Sequence, residues 1–146
     1  MVNDSERILN AIAEMHFYKE LVQNTLQFVP DNSTEKEVAD LLINLGDIVI
    51  AIQLKARNAS DQTGELDKEL KWLSGKCKAA KKQVKDSIGF IQSGELPEFP
   101  NGRNSFVPVS ANAKVIPLVI FMNENIIDEY PPILKNNLSE SSALIS

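Results

Sequence analysis

The chain has 146 residues, a net charge of −5 and 43% apolar residues, which fits one domain with a real core. It has no apolar run near the ~18 residues that a membrane span needs. Its first residues, with Asp4, Glu6 and Arg7 ahead of any apolar stretch, lack the layout of a secretory leader. A lone cysteine, Cys77, excludes an internal disulfide and suits a reducing compartment, so a soluble cytoplasmic protein without membrane attachment is expected.

Taken in order, Asp4 or Ser5 can cap a helix running to Met15 and as far as Thr25, with Ile8, Ala11, Ile12, Met15 and Val22 on one side at helical spacing. Leu26 to Val29 leaves room for a short strand, and Pro30 to Thr34 is turn chemistry. Val38–Leu45 reads as a strand, Gly46-Asp47 as its turn, and Ile48–Lys55 as a second strand. The turn is not a clean two-residue hairpin signal. The nearly unbroken apolar content of the second strand predicts a central position covered on both faces. Residues 57–64 are a polar loop.

Glu65 to about Ile91 predicts a long helix whose apolar stripe is Leu70, Leu73, Cys77, Ala80, Val84, Ile88 and Ile91. Residues 66–92 carry seven lysines against three acids, a net of +4 inside an acidic chain. Lys71, Lys78, Lys82 and Lys85 fall within about 60° of one another, opposite the stripe. Ser74-Gly75 is a candidate kink. Gly94 to Asn104 reads as an extended loop and Val115–Met122 as a third strong strand, with Pro117 favouring its start. Ile126–Tyr130 suits a short helix stopped by Pro131-Pro132. Residues 1–135 form the expected domain, and 136–146 a loose polar tail. The fold class is α/β, a mixed sheet flanked by helices.

Three residues stand out chemically. Asp40 opens one strand, and Gln53 and Lys55 lie two apart on the next, so they share a face. A glutamine left unpaired inside the apolar run would cost about 1–3 kcal/mol, so its presence asks for a reason. Competing readings are plainer. Asp40 and Lys55 also suit solvated strand ends, Glu6 a first-turn acid favoured by the helix dipole, and the lysine row a solvated face. His16 has no ligand partner at zinc spacing, Cys77 reads as core, and Trp72 as packing.

The order of elements, with Asp40 followed by Gln53-x-Lys55, resembles the PD-(D/E)xK nuclease superfamily over roughly residues 4–122. Its spacing is similar to nuclease-related domains, and its glutamine to Mrr-like restriction endonucleases. The resemblance implies a restriction-endonuclease-like core in the order helix, strand, strand, strand, helix, strand. It implies a metal-dependent nuclease that hydrolyses phosphodiester bonds, with DNA as the partner. Asp40, the Gln53 amide, the Leu54 carbonyl and Glu6 would hold Mg²⁺ or Mn²⁺. Glu14 and Glu20 are rivals to Glu6 as the helix acid. Lys55 would hold the scissile phosphate or help position the attacking water, with Gln83, Lys78 and Lys82 on the substrate side. Two positions depart from the pattern: Gln53 is neutral, and Ala39 replaces the proline ahead of Asp40. These departures keep open an inactive nuclease-fold module for binding or assembly. The N-terminal fragment of a larger protein, or a homodimer that completes the sheet, is also open.

Overall fold

The computed structural model describes residues 4–31, 33–57, 64–123 and 142–145. Helix α1 spans Asp4–His16. It includes Asp4 and Ser5, expected as caps, and it ends nine residues short of Thr25. The chain then passes through a 3₁₀ turn at Lys19–Leu21 into β1, Val22–Gln23. Val22 therefore belongs to the sheet, because strand pairing with Ile43 competes with continuation of the helix.

The expected strand near Leu26 exists as β2, Gln27–Phe28. It pairs only with β3, Lys36–Glu37, in a separate ribbon. Strand β4 is Leu41–Asn44, shorter than expected at both ends, and β5 is Ile48–Arg57. They pair antiparallel with Leu41 opposite Ile52. Leu45 N–H closes the hairpin on Ile48 C=O at 2.9 Å. Gly46 has φ +88° and Asp47 does not share that sign, the pattern of a type II′ turn with glycine first. The register that the sequence left open is thereby set.

Helix α2, Leu66–Ser93, is continuous through Ser74-Gly75. The segment expected as an extended loop after it contains β6, Phe99–Pro100, paired antiparallel with β7, Phe106–Val107. Strand β8, Lys114–Asn123, runs parallel to β5 along its whole length. Pro117 lies inside it, ahead of the stretch from Val119 that pairs on the other side with β9, Ser142–Ile145. Part of the tail expected to be loose thus adds a parallel strand. The short helix expected at Ile126–Tyr130 and most of the polar loop after Arg57 lie outside the described residues.

The sheet order is β1-β4-β5-β8-β9, so β5 is central as its composition predicts. Leaving aside the short ribbons, the order up to β8 is helix, strand, strand, strand, helix, strand. Alternation along the strands splits the core in two. Ile52 and Ile120 pack with Leu9 and Ala13 of α1. Val119 and Phe121 pack with Leu73, Cys77 and Ala80 of α2. Each helix thus covers one face. Buried Gln23 ties the sheet edge to the β6–β7 ribbon by donating to Phe99 C=O at 2.9 Å and Val107 C=O at 3.0 Å. At the far end of β5, Arg57 grips Glu69 of α2 through two bonds of 2.8 and 2.9 Å, with Trp72 5.1 Å away. Among the described residues, no helix is long and apolar enough to cross a membrane.

Candidate functional site

Strand β5 outruns β4. The last residue of β5 that faces a β4 partner is Ile52, opposite Leu41. Leu54 points its N–H to the same edge as Ile52, two residues on, where no strand remains to receive it. Asp40 stands just before β4 and fills that place. Its backbone N–H bonds Ile52 C=O at 3.0 Å, and its carboxylate Oδ2 accepts the Leu54 N–H at 2.6 Å. The Leu54 carbonyl points to this edge as well, since a strand residue directs both backbone groups the same way.

Gln53 and Lys55 share the α2 face, as their spacing requires. Gln53 is 5% exposed and donates its amide to Ser87 Oγ at 3.0 Å. The Ser87 hydroxyl also lies within bonding distance of the Val38 and Gln83 carbonyls. Lys55 Nζ donates to Gln83 Oε1. Burial holds the Lys55 ammonium below its ordinary range, the negative charge of Asp40 opposes this, and Lys76 adds to it.

On the α1 side a cleft of about 460 Å³ opens beside Asp40, lined by Glu6, Asn10, Thr25, Glu35 and Glu37 among others. Thr25 is β-branched with φ +57°, a conformation that costs on the order of 1–3 kcal/mol and clusters at functional sites. A neighbouring cleft of about 340 Å³ is lined by Gln53, Gln83, Lys82 and Asp86, and Glu37 lines both. Burial, followed by the hydrogen bond and charge of Asp40, pushes the Glu37 carboxyl up to about 7. The Gln27 amide pulls it back and Glu6 adds to the rise. Gln27 Nε2 donates to Glu37 Oε2 at 2.5 Å.

The expected residues therefore divide. Asp40 bonds Leu54 at the β4–β5 rim, Gln53 and Lys55 bond Ser87 and Gln83 of α2 beside it, and Glu6 shares the acidic cleft with Asp40. Glu14 and Glu20 sit elsewhere. Glu14 lies where a Cβ on Gly102 would come within 2.8 Å of its Oε1, and Glu20 pairs with Arg103. Lys78 is exposed on the outer side of α2, and Lys82 pairs with Asp86 at 2.8 Å. Glu37 was not among the expected residues. Its signal is the charged run Glu35-Lys36-Glu37 placed directly ahead of Asp40. Ser87 carries a fainter signal: it interrupts the α2 stripe between Val84 and Ile91.

The oxygens offered by the expected residues are the Asp40 carboxylate, the Gln53 amide oxygen and the Leu54 carbonyl, with Glu6 in the cleft that Asp40 lines and Gln53 in the neighbouring one. All are hard oxygens, the kind that suits Mg²⁺ or Mn²⁺. No cluster of three or more His, Cys, Asp or Glu is arranged to hold a metal among the described residues. No family model, curated protein or solved structure matches the chain at a significant level.

Proposed function

We propose that the chain is a metal-dependent nuclease domain of the PD-(D/E)xK type that hydrolyses phosphodiester bonds, with DNA as its substrate. One observation carries the reading: Asp40 bonds the backbone of the Gln53-Leu54-Lys55 run at the point where β4 stops and β5 continues. The core order and the parallel pairing of β5 with β8 support it.

The oxygens of Asp40, Gln53 and Leu54 would hold Mg²⁺ or Mn²⁺, with Glu6 on the cleft side. Burial and then the neighbouring Asp40 raise Glu37, which fits carboxylates sharing one cleft. Bound there, a divalent cation supplies Lewis acidity to a phosphate oxygen and lowers the pKa of water. Lys55 holds a non-bridging oxygen of the scissile phosphate and offsets charge that builds in the transition state. Gln83 fixes the direction of the Lys55 ammonium, and Ser87 fixes the Gln53 amide so that its oxygen is presented consistently. Partial burial of Lys55 strengthens its attraction for an anion by lowering the local dielectric.

The test is cleavage of labelled DNA in Mg²⁺, in Mn²⁺ and in EDTA by the wild type, Asp40→Ala and Lys55→Ala. Metal-dependent cleavage that both substitutions abolish supports the reading. Cleavage that persists in both removes it.

A second reading has its own support. Asp40 Oδ2 and the Gln53 amide are both engaged in bonds that also serve the fold. Gln53 lacks the charge an acid would contribute. A nuclease-fold module without catalysis, used for binding or assembly, would keep these bonds. Calorimetric titration with Mn²⁺ separates the two, because such a module shows no binding at millimolar metal.

A further inference from the structure

We infer that Lys76 and Lys55 form a paired cationic seat for the phosphodiester backbone, on the flank of α2 that faces the candidate site. The identity of the ligand rests on the nuclease reading; the pairing of the two lysines does not. Lys76 and Gln83 are seven residues apart, so they lie on one side of α2 within about 20°. Gln83 accepts the Lys55 ammonium, which places Lys55 against that same side. Lys76 is close enough for its charge to act on Lys55.

Lys36 shares the cleft of Gln53 and Gln83, and Lys81 lies about 160° round α2 from Gln83; the remaining cations nearby are committed or point elsewhere. Lys68 pairs with Glu65 at 3.2 Å, Lys82 with Asp86, and Arg57 with Glu69. Lys71, Lys78 and Lys85 lie opposite the buried stripe, facing away from the sheet. Lys76 is exposed and has no ion-pair partner among the described residues. Lys55 is thus held by Gln83, and the exposed Lys76 lies on the same flank of α2. Like charges in this arrangement repel, and a phosphate placed between them relieves both. A polyanion that carries phosphates in series can meet both lysines while its scissile group reaches Asp40.

Fluorescence anisotropy with a labelled 20-base-pair DNA duplex in EDTA, between 50 and 200 mM KCl, reads the seat without any cleavage. Lys76→Gln is expected to lower the slope of log affinity against log salt by about 0.9, one phosphate contact. Over that fourfold salt range this is about a 3.5-fold smaller loss of affinity than the wild type shows. Lys76→Arg should restore the slope. Lys71→Gln makes the same charge change on the far side of the same helix and should leave the slope in place. Circular dichroism verifies that all variants keep the fold. Equal slopes for Lys76→Gln and Lys71→Gln would overturn the proposal while the nuclease reading stands. A Lys76-specific effect in a protein that never cleaves DNA would do the reverse. A wild type that binds no duplex even at 50 mM KCl removes both.

Discussion

On the α2 side of β5, Gln53 gives its amide to Ser87 and Lys55 gives an N–H to Gln83. On the α1 side, Glu6, Glu37 and Asp40 share one cleft, and the Glu37 carboxyl is pushed up to about 7. The first region is neutral or cationic and its polar groups are satisfied by partners thirty residues away. The second is acidic, lined by short segments, and loaded with like charge. A buried hydrogen-bonded network rigidifies its members, whereas a crowd of carboxylates gains from any cation that enters. The contrast assigns positioning to the α2 side and charge reception to the α1 side. Asp40, at the rim, belongs to both.

Removing Asp40 or Lys55 is the strongest way to break that division, because Lys55 serves the α2 side and Asp40 links the two. Asp40→Ala and Lys55→Ala should each lower the rate of DNA cleavage by about 10²–10³-fold or more. Asp40→Ala should also cost stability, since it leaves the Leu54 N–H without its acceptor, at about 1–3 kcal/mol. Lys55→Ala should leave stability nearly unchanged, because Gln83 is exposed and water can replace the ammonium. Single-turnover cleavage and urea denaturation measure the two effects separately. Equal stability losses in the two variants would show that the α2 side is not the better satisfied of the two regions.

These regions were not equally legible in the sequence. Ile48–Lys55 and the α2 stripe are long enough for their patterns to stand out, so β5 and α2 could be read with near-correct bounds, and the central place of β5 with them. The ribbons β2–β3 and β6–β7 have two residues per strand, too few for alternation to register. Strand β1 was hidden because Val22 also fits the periodicity of the preceding helix. Strand β9 was masked by the serines around Ala143 to Ile145. At the site, the Gln53/Lys55 face followed from strand geometry alone. Glu37 did not, because its raised carboxyl depends first on burial, which spacing does not encode.

The Gln53–Ser87 bond sharpens the comparison at intermediate magnitude. Ser87 is 2% exposed, so Ser87→Ala leaves a buried amide short of a partner and should cost about 1–3 kcal/mol. Adding Gln53→Leu removes the other partner, and the double variant should recover most of that loss, as apolar replacement of both ends of a buried bond is close to neutral. Urea denaturation of the three variants closes the cycle. If the double variant is as stable as the wild type and inactive, Gln53 is present for chemistry and not for the fold. If it is far less stable, the amide serves packing and the positioning role falls.

The smallest effect concerns Glu37, and it tests the acidic side without DNA. Its folded pKa of about 7 lies above the ordinary 4.5, so the folded protein binds the proton more tightly than the unfolded chain. Stability from this group is therefore full below about pH 4.5 and is lost as pH climbs through about 7. Glu37→Gln removes the titration while keeping an oxygen for the Gln27 amide. In EDTA, the variant should match the wild type near pH 5 and exceed it at pH 8. Because the group reaches solvent, the gain is discounted to about 1 kcal/mol, or about 2–4 °C in Tm for a chain of this size. Added Mn²⁺ should close the gap by stabilising the wild type more than the variant, since the cation offsets the like charge that Glu37 contributes. A Tm difference that is the same at pH 5 and pH 8 would mean that the Glu6–Glu37–Asp40 cleft is solvated and unfrustrated, and the contrast with the α2 side would disappear.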